Sequence, residues 1–369
     1  MPVVIFVLFF FFIFFLILFL VLAVTCCNKE DNDEPSLYFP PAGTTEWAES
    51  EPSALGWNTA ALPDLLTFLE SSGTRSFIVL KDGKIVIEEY FSTGLAGLPF
   101  TSTSYWYWAS AGKTLTSLLV GIAQQQGHLD LSDKTSDYLG AGWTNLTTAQ
   151  EDKITIRHQL TMTTGLDDGV ADNHCFDPSC LIFKADAGTR WAYHNAPYTL
   201  LDEVISSSTG SDFDAYFNTQ IRDKTGMDGL WSWVDNDHVY FSTPRSAARF
   251  GLLILNEGKW DKTTVISDAE YFNQMINTSQ SINKSYGYLW WLNGKGSYMI
   301  PQSQLVLPGD IAPSAPDDMI AAMGKNGQLI NVIPSDNIVV VRMGENPDGY
   351  LVPSGYQEDI WELLSEVIR

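Results

Sequence analysis

Apolar positions are distributed unevenly along the chain. Val3 to Val24 is a continuous apolar run with no charged residue, long enough as a helix to cross the roughly 30 Å hydrocarbon core of a membrane. From Asn28 to about Pro52 the sequence is acidic, carries Pro35, Pro40, Pro41, Gly43 and Pro52, and has no apolar period. That pattern predicts a tether. Periodicity begins near Leu55. Leu62, Leu65, Leu66 and Leu69 recur at helical spacing, and Phe77-Ile78-Val79-Leu80 and Ile85-Val86-Ile87 flank Asp82-Gly83. A turn of that composition accepts positive φ, so the pattern predicts an antiparallel hairpin.

The middle of the chain changes period. Leu115, Leu118, Leu119 and Ile122 form a helical stripe closed by Gly127, and further helices are expected at Leu200 to Ile205 and Phe213 to Ile221. Strands return at Tyr286 to Trp291, Leu329 to Ile333 and Ile338 to Arg342, the last two around Pro334-Ser335-Asp336-Asn337. Ile360, Leu363, Leu364 and Val367 then follow the i, i+3, i+4, i+7 template of a helix that covers a sheet. The expected fold is α+β, an antiparallel sheet built from both chain ends, flanked by helices, with a mostly helical insertion at about 115–235. Three regions follow: a signal or membrane-anchor segment at 1–27, an acidic linker at 28–54, and one domain at 55–369.

Composition narrows the partners. With 45% hydrophobic and 18% charged residues the chain can build a large core, and a net charge of −23 would repel phosphate backbones. Nucleic acid is therefore not an expected partner. Cys26 and Cys27 directly follow the apolar run, as at the end of a lipoprotein signal, although no Lys or Arg precedes it. Export is expected, either as a membrane-anchored lipoprotein or into the periplasm. Cys175 and Cys180 suit a short disulfide loop in an oxidising compartment. The rival is a metal site of His174, Cys175, Cys180 and His194, but the sequence has no C-x-x-C pair and no H-E-x-x-H.

Candidate chemistry centres on Ser110-Ala111-Gly112-Lys113. Residues at i and i+3 share a helix face, which brings an amine to a hydroxyl. A lysine is a useful base only if burial lowers its ordinary pKa of about 10.4. Ser281 to Lys284 has the same spacing without a helix behind it. The aromatic lead-in Tyr105-Trp106-Tyr107-Trp108 and the strong helix after it distinguish Ser110. Tyr193-His194-Asn195 places a phenol and an amide two residues apart, on the same side of an extended segment. Lys224-Thr225-Gly226 ends a helix and is a decoy; Ala321 to Gln328, entering the terminal hairpin, is the better site-lining strand. His158, in a half-apolar run, is a structural histidine. Trp106, Trp108, Trp191 and Trp231 are expected in the core.

Taken in order, these motifs resemble the serine β-lactamase and penicillin-binding family, in particular its class C β-lactamase-related branch. The phrases Ile154 to Asp167, Phe241 to Gly251 and Tyr286 to Trp291 carry the resemblance beyond the site. It implies Ser110 as acylated nucleophile, Lys113 as its proton partner, Tyr193 as base and Asn195 as a residue that orients a substrate carbonyl. It also implies an oxyanion hole from the Ser110 N–H and a strand N–H near Ala322, with Gly324, Lys325 and Gly327 lining the site. Counting back from Ile333-Pro334 places Met319-Ile320-Ala321 where class C enzymes carry K-T-G. The Gly324 to Gln328 pattern is similar to 6-aminohexanoate-dimer hydrolases and related esterases. The resulting expectation is a monomeric serine hydrolase for a small ester or amide, without metal or cofactor. A D-Ala-D-Ala peptidase or weak β-lactamase, or a non-catalytic binder of peptides or cell-wall fragments, is the alternative.

Overall fold

The computed structural model describes residues 37–346 and 351–369. The apolar run, Cys26, Cys27 and the start of the acidic stretch lie outside the described residues, and so do the expectations that rest on them. Among the described residues no helix is long and apolar enough to cross a membrane.

Helix α1 (Leu62–Ser71) leads into the hairpin of β1 (Thr74–Lys81) and β2 (Lys84–Tyr90). Its turn has φ of 51° at Asp82 and 80° at Gly83, the conformation the Asp-Gly pair favours. A short strand β3 (Trp106–Tyr107) precedes helix α2 (Lys113–Gln125), after which come helix α3 (Leu201–Thr209), strands β4 (Leu230–Val234) and β5 (Asp237–Ser242), and helix α4 (Pro244–Leu255). The chain ends with β6 (Trp291–Leu292), β7 (Ile320–Gly324), β8 (Gln328–Ile333), β9 (Ile338–Gly344) and helix α5 (Ser354–Ile368).

The main sheet has six strands in the order β2-β1-β9-β8-β7-β6, each pair antiparallel. Both chain ends build it, and its central strands β8 and β9 are buried along their whole length. Side chains alternate across a strand. Val339 therefore meets α4, at Gly251, whereas Arg342 faces the other side and stacks on Tyr356 of α5, 4.8 Å from the ring centroid. The core thus has two layers of helix around one sheet.

Three expectations change. The folded body begins at Leu37 rather than near Leu55, because the proline-rich stretch gives its backbone to the domain. Arg249 donates to the Pro40 and Pro41 carbonyls at 3.1 and 2.8 Å, Trp47 Nε1 donates to Gly83 at 2.8 Å, and Glu49 bridges Ile85. Residues 230–234, inside the expected helical insertion, form β4 and pair with β5 around a turn at Asp235, where φ is 52°. The aromatic and β-branched residues Trp231, Trp233 and Val234 suit a strand. Tyr286 to Trp291 is a tight loop, with Leu289 at φ 63° and Gly287 N–H donating to the Trp290 carbonyl, and only Trp291 joins the sheet.

Candidate active site

Ser110 sits in a single 3-10 turn, Ala109–Gly112, immediately before α2. Two hydrogen bonds and one close backbone approach hold that turn. Trp108 Nε1 donates to Ser242 Oγ at 2.8 Å, Tyr107 Oη accepts from Asn326 Nδ2 at 2.7 Å, and the would-be Cβ of Gly324 lies 2.4 Å from the Trp108 carbonyl oxygen. Only glycine permits that approach of β7 to the turn. Ala109 has φ of 46°, a left-handed backbone that an alanine adopts only when the surroundings impose it. Trp106, Trp108, Trp191 and Trp231 are buried in the core.

The i, i+3 spacing performs as the sequence suggests. Lys113, in the first turn of α2, donates from Nζ to Ser110 Oγ at 3.1 Å. Its ammonium also lies 4.1 Å from the ring centroid of Tyr198 and 5.5 Å from that of Tyr193. Burial disfavours its charged form and brings its pKa down to about 8, against the opposing pull of Asp237 and Asp202. Burial likewise pushes the Tyr193 phenol well above its ordinary value, with a hydrogen bond to Ser110 acting the other way. Trp291, stacked at 5.9 Å, holds the Tyr193 ring.

One cavity of about 680 Å³ is lined by Ser110, Lys113, Tyr193, Asn195 and Lys325, with Tyr107, Tyr198 and Asp237 among its other walls. Ala322, Gly324 and Gly327 do not line it. Ala322 is buried within β7 opposite Ile330. Gly324 supports the Ser110 turn, and Gly327, with φ of 77°, packs against Arg342 Nη1. The chain turns directly after Gly324, so the residue of this hairpin that reaches the cavity is Lys325, four residues beyond the Met319-Ile320-Ala321 placed by counting back from Ile333-Pro334. Asn195 also differs from expectation. Both hydrogens of its Nδ2 are used, by Asn173 Oδ1 at 3.1 Å and His174 Nε2 at 3.2 Å, so it has no N–H left for a substrate carbonyl.

The remaining candidates separate cleanly. Cys175 and Cys180 are disulfide-bonded, and their sulfurs are therefore not available to a metal. His194 is buried, neither ring nitrogen has a hydrogen-bond partner among the described residues, and burial lowers its pKa to about 4. His158 accepts from the Thr155 N–H at the start of a short helix, a structural role. Lys224 bonds Gln220 and Gly226 caps the end of its helix, away from the cavity.

Sequence reasoning missed Tyr198, Asp237 and Arg342. The buried Arg342 donates to Thr74 Oγ1 and to the carbonyls of Ser72, Asn326, Gly327 and Glu345, so it anchors the hairpin that carries Lys325. An arginine inside an otherwise apolar strand was the available signal. Gln328, the last residue of the Gly324 to Gln328 pattern, exchanges two hydrogen bonds with Gly344 and locks the same hairpin to β9.

A sheet made by both chain ends, helices on its two faces and a serine–lysine turn against an inner strand define a β-lactamase/transpeptidase-like fold. Comparison with known proteins agrees. The Beta-lactamase family matches residues 72–348, well over half of the chain, and the chain belongs to that family. The "Beta-lactamase" of Escherichia coli (strain K12) is 28% identical over 153 residues, 38% of this chain and 40% of that protein. PbpX of Bacillus subtilis (strain 168), named as a penicillin-binding protein, is 26% identical over 168 residues, 42% of this chain and 40% of that protein. The chain thus matches about 40% of the length of each of these relatives. A solved structure from Bacillus anthracis, assigned by name to the 6-aminohexanoate-dimer hydrolases, superposes with a TM-score of 0.65 at 14% identity, covering 89% of each chain.

Proposed function

We propose that the protein is an exported serine hydrolase that cleaves a small ester or amide through an acyl-enzyme on Ser110. The observation that carries this reading is the 3.1 Å contact of Lys113 Nζ with Ser110 Oγ, in a cavity that Tyr193 also lines. Lys113, with a pKa of about 8, is neutral in roughly a tenth of molecules at pH 7 and accepts the hydroxyl proton as Oγ attacks the scissile carbonyl. Tyr193 is held as the neutral phenol by burial, so its part is to pass that proton to the leaving group rather than to act as a standing tyrosinate. Water then attacks the acyl-enzyme by the reverse route.

The oxyanion is assigned to the Ser110 N–H and an N–H at the Gly324-Lys325 end of β7. Such donors contribute several kcal/mol in a transition state. Gly324's approach to the turn supports that choice. Export rests on the apolar run Val3 to Val24, followed by Cys26 and Cys27. The disulfide is in keeping with it.

Strand β7 itself carries no cation, which speaks for neutral esters and amides; Lys325, at its end, keeps a peptidase or β-lactamase activity as the second reading. The test is a panel of short-chain esters, linear amides, D-Ala-D-Ala peptides and a chromogenic cephalosporin, with stoichiometric fluorophosphonate labelling. Labelling and turnover lost in Ser110→Ala support the enzyme. A protein that neither labels nor turns over any of the panel is a binder instead.

A further inference from the structure

Asp237 opens β5, and its carboxylate accepts from His174 Nδ1 at 2.7 Å. An ionised carboxylate can only accept, so Nδ1 carries the proton and, in the neutral ring, Nε2 is a bare acceptor. That nitrogen faces Asn195 Nδ2 at 3.2 Å, and the second amide hydrogen goes to Asn173 Oδ1 at 3.1 Å. The orientation of the Asn195 amide is therefore dictated from behind. Its Oδ1 remains, buried and without a hydrogen-bond partner among the described residues. A buried acceptor left open costs on the order of 1–3 kcal/mol, a cost that a working site has reason to keep.

The loop that brings these groups together is tied at each end. His174 N–H donates to Asp172 Oδ1 at 3.0 Å, the Asn173 carbonyl accepts from Ala196 N–H at 3.0 Å, and Cys175, next to His174, is bonded to Cys180. Asn173, His174, Asn195 and Asp237 all line the cavity that holds Ser110.

We propose that Asp237 and His174 are positioning residues that lock the Asn195 amide with its oxygen left unpaired, keeping Asn195 as a hydrogen-bond acceptor at the wall of the Ser110 cavity. The inference rests on the hydrolase reading for its kinetic consequences but not for its geometry. Two measurements on the full chain in detergent micelles test it. The first is nitrogen-15 NMR of labelled histidine, in which the ring proton of His174 is expected on Nδ1 with Nε2 bare, a signature that Asp237→Leu removes. A wild-type ring that carries a proton on Nε2, with or without one on Nδ1, overturns the proposal, whether or not the protein turns over a substrate.

The second is a double-mutant cycle on p-nitrophenyl acetate hydrolysis. His174→Leu is expected to lower kcat at least tenfold in the wild type and to have no further effect in Asn195→Ala. His174→Gln, which keeps one donor and one acceptor at nearly the imidazole spacing, recovers most of the rate. Equal fold-losses in the two backgrounds, or a His174→Gln no better than His174→Leu, overturn the relay. A wild type without hydrolysis defeats the proposed function, and the tautomer then decides the relay alone.

Discussion

Gly324 lies so close to the turn carrying the nucleophile that a methyl group added to it would come 2.4 Å from the Trp108 carbonyl oxygen and 3.0 Å from the Ala111 nitrogen. Both neighbours are backbone and cannot rotate away. Gly324 has an ordinary extended φ of −128°, so the demand is for space alone. Gly324→Ala is expected to push β7 from the Ser110 turn and to slow fluorophosphonate labelling roughly a hundredfold, the scale of a 1 Å misplacement. An alanine variant that labels at the wild-type rate would remove this strand from the proposed oxyanion site.

Lys113 sets the pH dependence. A base whose pKa has been lowered to about 8 becomes competent as pH rises through that value, so the acylation rate should climb along one limb with a midpoint near 8. Stopped-flow acylation across pH 6 to 10 reads it. Lys113→Met should lose acylation by orders of magnitude. It should also melt at a higher temperature at pH 7, because an apolar residue of similar length no longer has an ammonium to bury.

His194 predicts an acid limb in stability. Its folded pKa of about 4 lies below the unfolded value of about 6.5, so between these limits the unfolded chain binds more protons. Stability therefore rises with pH from about 4 to about 6.5, and this contribution is lost as pH falls toward 4. The full span is about 3 kcal/mol. Urea titrations of His194→Phe should show a flatter profile across that window. An unchanged slope would mean that another group causes the acid sensitivity.

Arg342 carries a structural prediction. Replacing it by methionine removes the donors to four carbonyls and to Thr74 Oγ1, and the buried Ser72 and Gly327 lose the guanidinium donor to their carbonyls. The expected cost is about 2–5 kcal/mol in a denaturant titration. Activity should fall as well, since the hairpin bearing Lys325 loses its anchor.

The Cys175–Cys180 bond joins residues only five apart, so it constrains little of the unfolded chain and should contribute little to global stability. Cys175→Ser paired with Cys180→Ser should shift the melting temperature by no more than a few degrees. Hydrolysis should fall by a larger factor, because the loop that holds His174 and Asn173 loosens. A large loss of stability with full activity would contradict that assignment.

The features legible in the sequence were those whose geometry is local. The Asp82-Gly83 hairpin follows from two residues that tolerate positive φ, the α2 stripe from a 3.6-residue period, and the Ser110–Lys113 contact from one turn of helix. The Cys175–Cys180 pair likewise lay within one short loop. The tertiary structure decided whatever depends on residues distant in sequence. Asp237 reaches His174 across 63 positions, and Asn326 reaches Tyr107 across 219. The register of β7 against the nucleophile turn followed from the length of its hairpin and from a single glycine, neither of which a count from Ile333-Pro334 could supply. Periodicity encodes which face of an element is buried, whereas the partner of that face, and the orientation of an amide such as Asn195, depend on packing and hydrogen bonding that exist only once the chain has closed on itself.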